Sequence, residues 1–238
     1  RKSPEEYRVS LRCIQLNPFM LRQIITNGLP AGIQNSVISI ANVFIQSNIN
    51  SFGKIAMAGC GAYSKVEGFA ALPVTCFSMA LTTFISQNLG AGKYDRVRKG
   101  ARFGVLCGMT LTELIGLVLY VTMPVLISFF NNDPEVIAYG TKQAHIVTPF
   151  YFLMAYSHCT AGIMRGAGKS SVPMFVMLLC WCLLRVPYVS LAVHLNPIID
   201  VVFWAYPITW CLSTLVFTIY YFKSDWMHAF EKQDAKHA

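Results

Sequence analysis

The sequence predicts an all-α, polytopic membrane protein with six transmembrane helices, and three observations lead there. The 238 residues are 55% hydrophobic and only 13% charged, against about 25% charged for an ordinary soluble domain, and the mean hydropathy is +0.49. The apolar residues gather into six segments, each long enough to match a bilayer core, which takes about 20 residues of helix. The basic residues fall in alternate connections between those segments, as cytoplasmic flanks do.

The first span is placed at 29–53 and carries no charge. The second, 58–89, is charged only at Lys65 and Glu67, and the third, 103–130, only at Glu113. The fourth, 136–164, carries Lys142; the fifth, 172–194, carries Arg185; the sixth, 201–222, carries none. Residues 1–28 read as a cytoplasmic or interfacial connecting segment and 223–238 as a cytoplasmic tail. Within 4–27, Tyr7, Leu11 and Ile14 share one helical face and Arg8 and Arg12 another, which fits an interfacial amphipathic segment; a flexible tail is the open alternative. No short apolar core of a signal peptide stands at the start. The chain opens on Arg1 rather than Met, so a fragment or a processed form is expected.

Orientation follows from charge. The segment before span one, the loop after span two, the loop after span four and the tail together hold fifteen of the nineteen Lys and Arg residues. The alternate loops hold only Lys54, with Asp133, Glu135 and Asp200. Both ends are therefore expected in the cytoplasm, with an even number of crossings. A plasma-membrane location and a lipid partner follow from the same reading. The net charge of +8 would suggest nucleic-acid binding in a soluble chain; here it flanks a bilayer, and no nucleic acid is expected.

The function classes narrow by chemistry. Among eight cysteines there is no CxxC pair, and Cys180 and Cys182 stand two apart, on different sides of a helix. They read as small buried hydrophobes rather than metal ligands, so no metal is expected. HExxH, GxSxG and Walker spacings are missing, so neither an enzyme nor a cofactor is expected. The run from Gly166 to Ser171 lacks the P-loop spacing and reads as a helix cap and tight turn. Prolines fall in or near every span, at Pro30, Pro73, Pro124, Pro149, Pro187 and Pro207. Each removes a backbone donor and can bend its helix, as a hinge or as an ordinary packing kink.

A charge at bilayer depth costs several kcal/mol unless it faces a partner or a cavity. At 1.5 Å per residue, Glu67 stands about 13 Å in from the outer end of its span, Glu113 about 16 Å from the inner end, and Arg185 about 20 Å from the inner end. These three are the candidates for ion coupling or for binding a charged substrate. The alternative is a structural ion pair of either carboxylate with Arg185 or Lys65. Arg185 has Trp181 and Tyr188 one turn away on either side, a setting for cation–π contact. Lys142 reads as a snorkelling side chain and His158 as a packed histidine or a proton carrier. Span one holds Gln34, Asn35, Asn42, Gln46, Asn48 and Asn50. Lipid rejects such groups, so they are expected to bond across helices or to line a water-filled path. Gln34, Asn35, Asn42, Gln46 and His158 are the cavity-lining candidates. Aromatic residues such as Tyr63, Phe77, Tyr151 and Tyr156 suit planar cations, or plain packing.

One run carries a family signal. Phe84-Ile85-Ser86-Gln87-Asn88-Leu89-Gly90-Ala91-Gly92-Lys93-Tyr94-Asp95-Arg96 closes span two and resembles the loop signature of the multidrug and toxic compound extrusion (MATE) family, with Gln87, Asn88, Gly90, Ala91, Asp95 and Arg96 as its marks. Arg165-Gly166-Ala167-Gly168-Lys169 resembles the family's next inner loop, and Leu29-Pro30-Ala31-Gly32 fits the start of its helix. The resemblance covers nearly the whole chain. It implies twelve helices in two six-helix lobes around a cavity, exchanging organic cations or drugs for Na+ or H+, with this chain as the second, C-terminal lobe. The first lobe, or a second copy of this chain, then completes the transporter. The family's acidic cation ligands in its seventh and tenth helices have no counterpart inside spans one and four, so Glu67 and Glu113 stand as substitutes. A lipid or polysaccharide flippase of the wider superfamily, and a non-transporting truncated lobe, are the alternatives.

Overall fold

In the computed structural model, which describes residues 17–227, the chain is a bundle of helices and the described residues form no strand. The helices are α1 (Pro18–Asn50), α2 (Lys54–Gly90), α3 (Tyr94–Ser128), α4 (Pro134–Val147), α5 (Tyr151–Gly166), α6 (Ser171–Met177), α7 (Arg185–Leu195) and α8 (Asp200–Lys223). A 3-10 turn, Thr148–Phe150, joins α4 to α5, and a π-helical stretch, Leu178–Leu184, joins α6 to α7. Among the described residues, five continuous runs are long and apolar enough to cross a bilayer: α1, α2, α3, the run Ser171–Leu195, and α8. The remaining crossing is composite, α4 and α5 meeting at the 3-10 turn. The protein is thus an all-α, integral, multi-pass membrane lobe.

The helices outrun the apolar segments that announce them. α1 starts at Pro18 rather than at Leu29, because Asn17 and Pro18 form a capping pair. Asn17 Oδ1 accepts from the amides of Phe19 at 3.0 Å and Met20 at 3.4 Å, and proline at the first helical position has no amide left to satisfy. Residues 18–28 of the expected connecting segment are therefore helix continuous with span one, whereas Tyr7, Arg8, Leu11, Arg12 and Ile14 lie outside the described residues. α3 likewise begins at Tyr94, well before its apolar stretch. Its first turns bury Val97 and Ala101 and expose Arg96, Arg98, Lys99 and Arg102.

The two inner loops use one device. Both carry Gly-Ala-Gly-Lys, at 90–93 and 166–169. In the first, Gly92 at φ +66° lets Lys93 N reach Asn88 O at 2.8 Å and Gly92 N reach Leu89 O at 2.9 Å. In the second, Gly168 at φ +73° allows Lys169 N to Met164 O at 2.9 Å and Gly168 N to Arg165 O at 3.0 Å. These are Schellman caps, which a left-handed residue closes. A Cβ at Gly92 would meet nothing within 4 Å, so the backbone alone sets its cost. Gly92→Ala is expected to destabilise the lobe by about 1–2 kcal/mol, read from thermal unfolding in detergent; no change at all would mean the turn is not held in this form.

Two interruptions shape the bundle. Pro149 cannot donate an amide, so the fourth crossing narrows to a 3-10 turn there. Pro187 leaves Leu183 without its usual donor, and the helix just upstream widens into the π stretch. The core has three parts. A central cluster includes Tyr63, Met123, Tyr151, Trp181, Trp210 and Phe217. An inner cluster includes Leu81, Ile85, Val97 and Ile163, with Trp226 from beyond α8 buried in it. A third, reached from α1, α2, α7 and α8, includes Ile45, Cys60, Val189 and Phe203.

Candidate ion and substrate site

The site grows from α2. Tyr63 stands one turn before Glu67, and its hydroxyl donates to Glu67 Oε1 at 3.3 Å. The same hydroxyl lies 3.0 Å from that of Tyr151, the first residue of α5. Both tyrosines are fully buried, and Glu67 is half-buried. Across the central core, Arg185 opens α7 and is only 2% exposed. Its Nε and Nη2 both donate to Thr209 Oγ1, at 2.9 and 2.5 Å. Thr209 spends its own proton on Ala205 O at 2.8 Å, which frees its lone pairs for the guanidinium. Arg185 also lies over the rings of Trp181 at 5.2 Å and Tyr206 at 4.7 Å. The expected ring partner Trp181 is there; the second is Tyr206 of α8, not Tyr188, because the π stretch turns the guanidinium toward α8.

Glu67 and Arg185 interact electrostatically but form no ion pair with each other. Trp210 links the rings beside each of them, with its ring centroid 6.1 Å from Tyr151, 6.0 Å from Tyr206 and 6.5 Å from Trp181. The lobe thus holds a carboxyl and a guanidinium at opposite ends of an aromatic set. Three oxygens converge at the carboxyl end, from Glu67, Tyr63 and Tyr151. Oxygen ligands of this kind suit a proton or a hard cation rather than a soft metal.

The other ionisable candidates are placed differently. Glu113 Oε2 accepts from the amide of Phe152 at 3.0 Å. That amide belongs to the first turn of α5, freed by the break at Pro149, so Glu113 caps a helix at bilayer depth. It does not pair with Arg185 or Lys65. Lys65 lies over the Phe130 ring at 5.5 Å. Lys142 is ion-paired with Asp200 at 2.6 Å instead of standing alone as a snorkelling side chain. His158 packs edge-on to Trp181 at 5.4 Å. Arg165 turns inward and donates to Ser78 Oγ at 2.9 Å, the same oxygen that donates to His158 O at 2.7 Å.

The polar residues of α1 divide. Asn35, Ser39, Asn42, Gln46 and Asn50 recur every three to four positions and so share one face. Asn35, Ser39, Asn42 and Asn50 are exposed, and Gln46 is half-buried with its amide donating to Asn50 Oδ1 at 3.0 Å. Gln34 lies off this stripe and points into the lobe, with Nε2 on Met177 Sδ at 2.8 Å. The polar stripe therefore lies on the outer face of the lobe rather than pointing into it. In the loop signature, Asn88 Nδ2 holds Phe84 O at 2.8 Å and Asp95 stands in the first turn of α3, where a negative charge favours the helix. Gln87, Gly90, Ala91 and Arg96 are exposed around the turn. Tyr206, Thr209 and Trp210 were not distinguished by sequence reasoning, and Tyr63, named there with the aromatic residues suited to planar cations, was not tied to Glu67, although the four-residue step between them is a usable signal.

Comparison with known proteins adds the following. The MatE family model matches residues 30–191. The chain is 22% identical over 223 residues, 93% of its length, to the probable multidrug resistance protein YoeA of Bacillus subtilis, and covers 48% of that protein. It is 29% identical over 168 residues, 71% of its length, to the probable multidrug resistance protein YpnP of the same organism, covering 38% of it. A solved structure of a MATE protein in complex with MaL6 superimposes with a TM-score of 0.83 at 16% identity, over 94% of this chain and 50% of that one. The chain thus spans about half, or less, of the length of these relatives.

Proposed function

Because the chain belongs to the MatE (multidrug and toxic compound extrusion) family, whose members are transporters and not enzymes, we propose that it forms one six-helix lobe of an efflux antiporter. Such a transporter ejects cationic or amphipathic organic compounds in exchange for H+ or Na+ by alternating access. The stripe Asn35–Ser39–Asn42–Gln46–Asn50 supports this reading most directly. It is an exposed polar face on a helix that crosses lipid, and lipid tolerates no such face. An opposite wall is required, from a companion lobe in the same protein or from a second copy, and the space between the two walls is the substrate path. In this reading the lobe sits in the plasma membrane with both ends of the chain cytoplasmic, and Glu67, backed by Tyr63 and Tyr151, carries the coupling ion.

The test is efflux of a fluorescent organic cation by the natural full-length protein under imposed H+ and Na+ gradients. Glu67→Gln is expected to lower export at least tenfold, the scale on which losing a stabilised charge acts in steps worth about 1.4 kcal/mol. Glu113→Gln keeps an amide oxygen for the Phe152 N–H and is expected to cost less than threefold, under about 1 kcal/mol. Normal export by Glu67→Gln under both gradients would sink the coupling assignment.

A further inference from the structure

The two buried tyrosine hydroxyls beside Glu67 join α2 to α5, and their rings pack in the central core. Their hydroxyls form a chain whose direction is fixed by its end. An ionised Glu67 only accepts, so Tyr63 donates to it and Tyr63 oxygen accepts from Tyr151. A protonated Glu67 has a proton to donate beside its remaining acceptor oxygen, and this opens the opposite direction, from Glu67 to Tyr63 to Tyr151. In that state Tyr151 keeps a hydroxyl proton with no acceptor in a fully buried position, which the lobe must relieve.

Tyr151 is no ordinary place for such a load. It is the residue after the Thr148–Phe150 turn, and its amide bonds to Thr148 O. The next amide, of Phe152, is held by Glu113 from α3. Its ring packs against α3 where Gly116 has no side chain: a Cβ there would meet Thr148 O at 2.8 Å and Tyr151 Cδ2 at 3.2 Å. Thr148 Oγ1 is itself buried without a partner, in the same turn. The break in the fourth crossing is therefore joined to Glu67 through two hydroxyls and has a spare hydrogen-bonding group of its own.

We propose that the Tyr63–Tyr151 hydroxyl pair is a positioning device that transmits the protonation state of Glu67 to the break between α4 and α5. The inference rests on Glu67 being the coupling carboxyl. One O–H bond forms, at the Glu67 carboxyl as it takes a proton, and no redox step is involved; the hydroxyls of Tyr63 and Tyr151 keep their protons and rotate in turn, and the Tyr151 O–H is left to donate to an acceptor at the turn. Tyr63 on its own helix is bonded to Glu67 and Tyr151 of α5 is bonded to Tyr63, while Arg185 of α7 and Tyr206 of α8 act on Glu67 electrostatically. Glu113 of α3 acts on Tyr151. On α4, Lys142 is paired with Asp200 and His145 lies on Tyr120 O; the described part of α1 contributes no ionisable group but Arg22.

The experiment is a pH titration of the natural full-length protein in lipid nanodiscs, followed in parallel by the infrared carboxyl band and by amide hydrogen exchange. In the wild type, exchange at residues 148–153 is expected to follow the carboxyl band that Glu67→Gln removes. Tyr151→Phe keeps the Glu67–Tyr63 bond and the ring, so the band should persist while exchange at 148–153 ceases to follow it. Tyr63→Phe should uncouple the two in the same way. Exchange that still tracks the band in both phenylalanine variants overturns the device while leaving Glu67 as the coupling group. A band set that Glu67→Gln does not alter overturns the device and the coupling assignment together.

Discussion

Arg185→Met is expected to abolish export while leaving the lobe about as stable as before. The reason is a balance of terms of similar size. Arg185 gains two ring contacts, worth about 1–2 kcal/mol each when desolvated, and two hydrogen bonds to Thr209 of about 1.5–3 kcal/mol each for a charged donor. Against these stands a desolvation penalty of several kcal/mol for a buried cation that forms no ion pair with a carboxylate among the described residues. The two sides nearly cancel, so an apolar side chain of similar length should fold equally well, as buried charges replaced by packed hydrophobes often do. What methionine cannot supply is the positive charge across the aromatic set from Glu67. Arg185→Lys keeps the charge but cannot straddle Thr209 and two rings at once, and it should retain only part of the activity. If Arg185 and Glu67 act as a unit, the double variant Glu67→Gln with Arg185→Met should transport no worse than either single change. Measurements of efflux and of thermal unfolding on the same preparations decide the matter. Normal export by Arg185→Met defeats the functional assignment. A loss of stability above about 3 kcal/mol, the scale of a broken buried pair, would make the residue structural.

The crossings were legible because lipid punishes charge, so six apolar runs and the alternation of basic loops mark them. Their ends were not, because helical hydrogen bonding does not stop where the lipid does. α1 continues back to the Asn17 cap, and α3 starts at Tyr94 among its basic residues. Pro149 announced a bend, but not that Glu113, 39 positions away from Phe152 in sequence, would cap the helix beyond it. For the site, the ionisable residues themselves could be picked out by their cost in a membrane. Their partners could not: Arg185 meets Thr209 and Tyr206 from α8 only in three dimensions, after a π stretch has shifted the register. The polar stripe on α1 was readable as a period of three to four, and that period also separates Gln34, which points inward. One signal with the same spacing lies on α3, where Gly100, Gly104, Gly108 and Gly116 recur in steps of four or eight. A Cβ at these positions would meet Phe84, Leu81, Cys159 and Thr148 in turn. Small residues at such spacing let membrane helices approach closely, and here they carry the seam of α3 with α2 and α5.

The seam between α2 and α5 should show the largest loss of stability of any single exchange in the lobe. Gly162 and Gly166 of α5 stand four apart and face α2. A Cβ on Gly162 would collide with Ser78 O and come within 2.9 Å of Ser78 Oγ, and one on Gly166 would come within 2.6 Å of Thr82 O. The approach permits three bonds: Ser78 Oγ to His158 O at 2.7 Å, Thr82 Oγ1 to Gly162 O at 3.0 Å, and Arg165 Nη2 to Ser78 Oγ at 2.9 Å. Gly162→Val forces the backbones apart, so overpacking of about 1–3 kcal/mol is joined by the loss of hydrogen bonds worth about 0.5–1.5 kcal/mol each. A total of roughly 3–5 kcal/mol is expected from these terms. Gly61 of α2 is the matched control, since a Cβ there meets nothing within 4 Å. Gly61→Ala should leave stability unchanged or raise it by up to about 1 kcal/mol, because alanine favours helix over glycine. Unfolding of the two variants in detergent separates packing from propensity: the seam is as close as described only if Gly162→Val falls while Gly61→Ala holds. A Gly162→Val protein within about 1 kcal/mol of wild type, the range of a tolerated core exchange, would mean that α2 and α5 do not touch at this glycine.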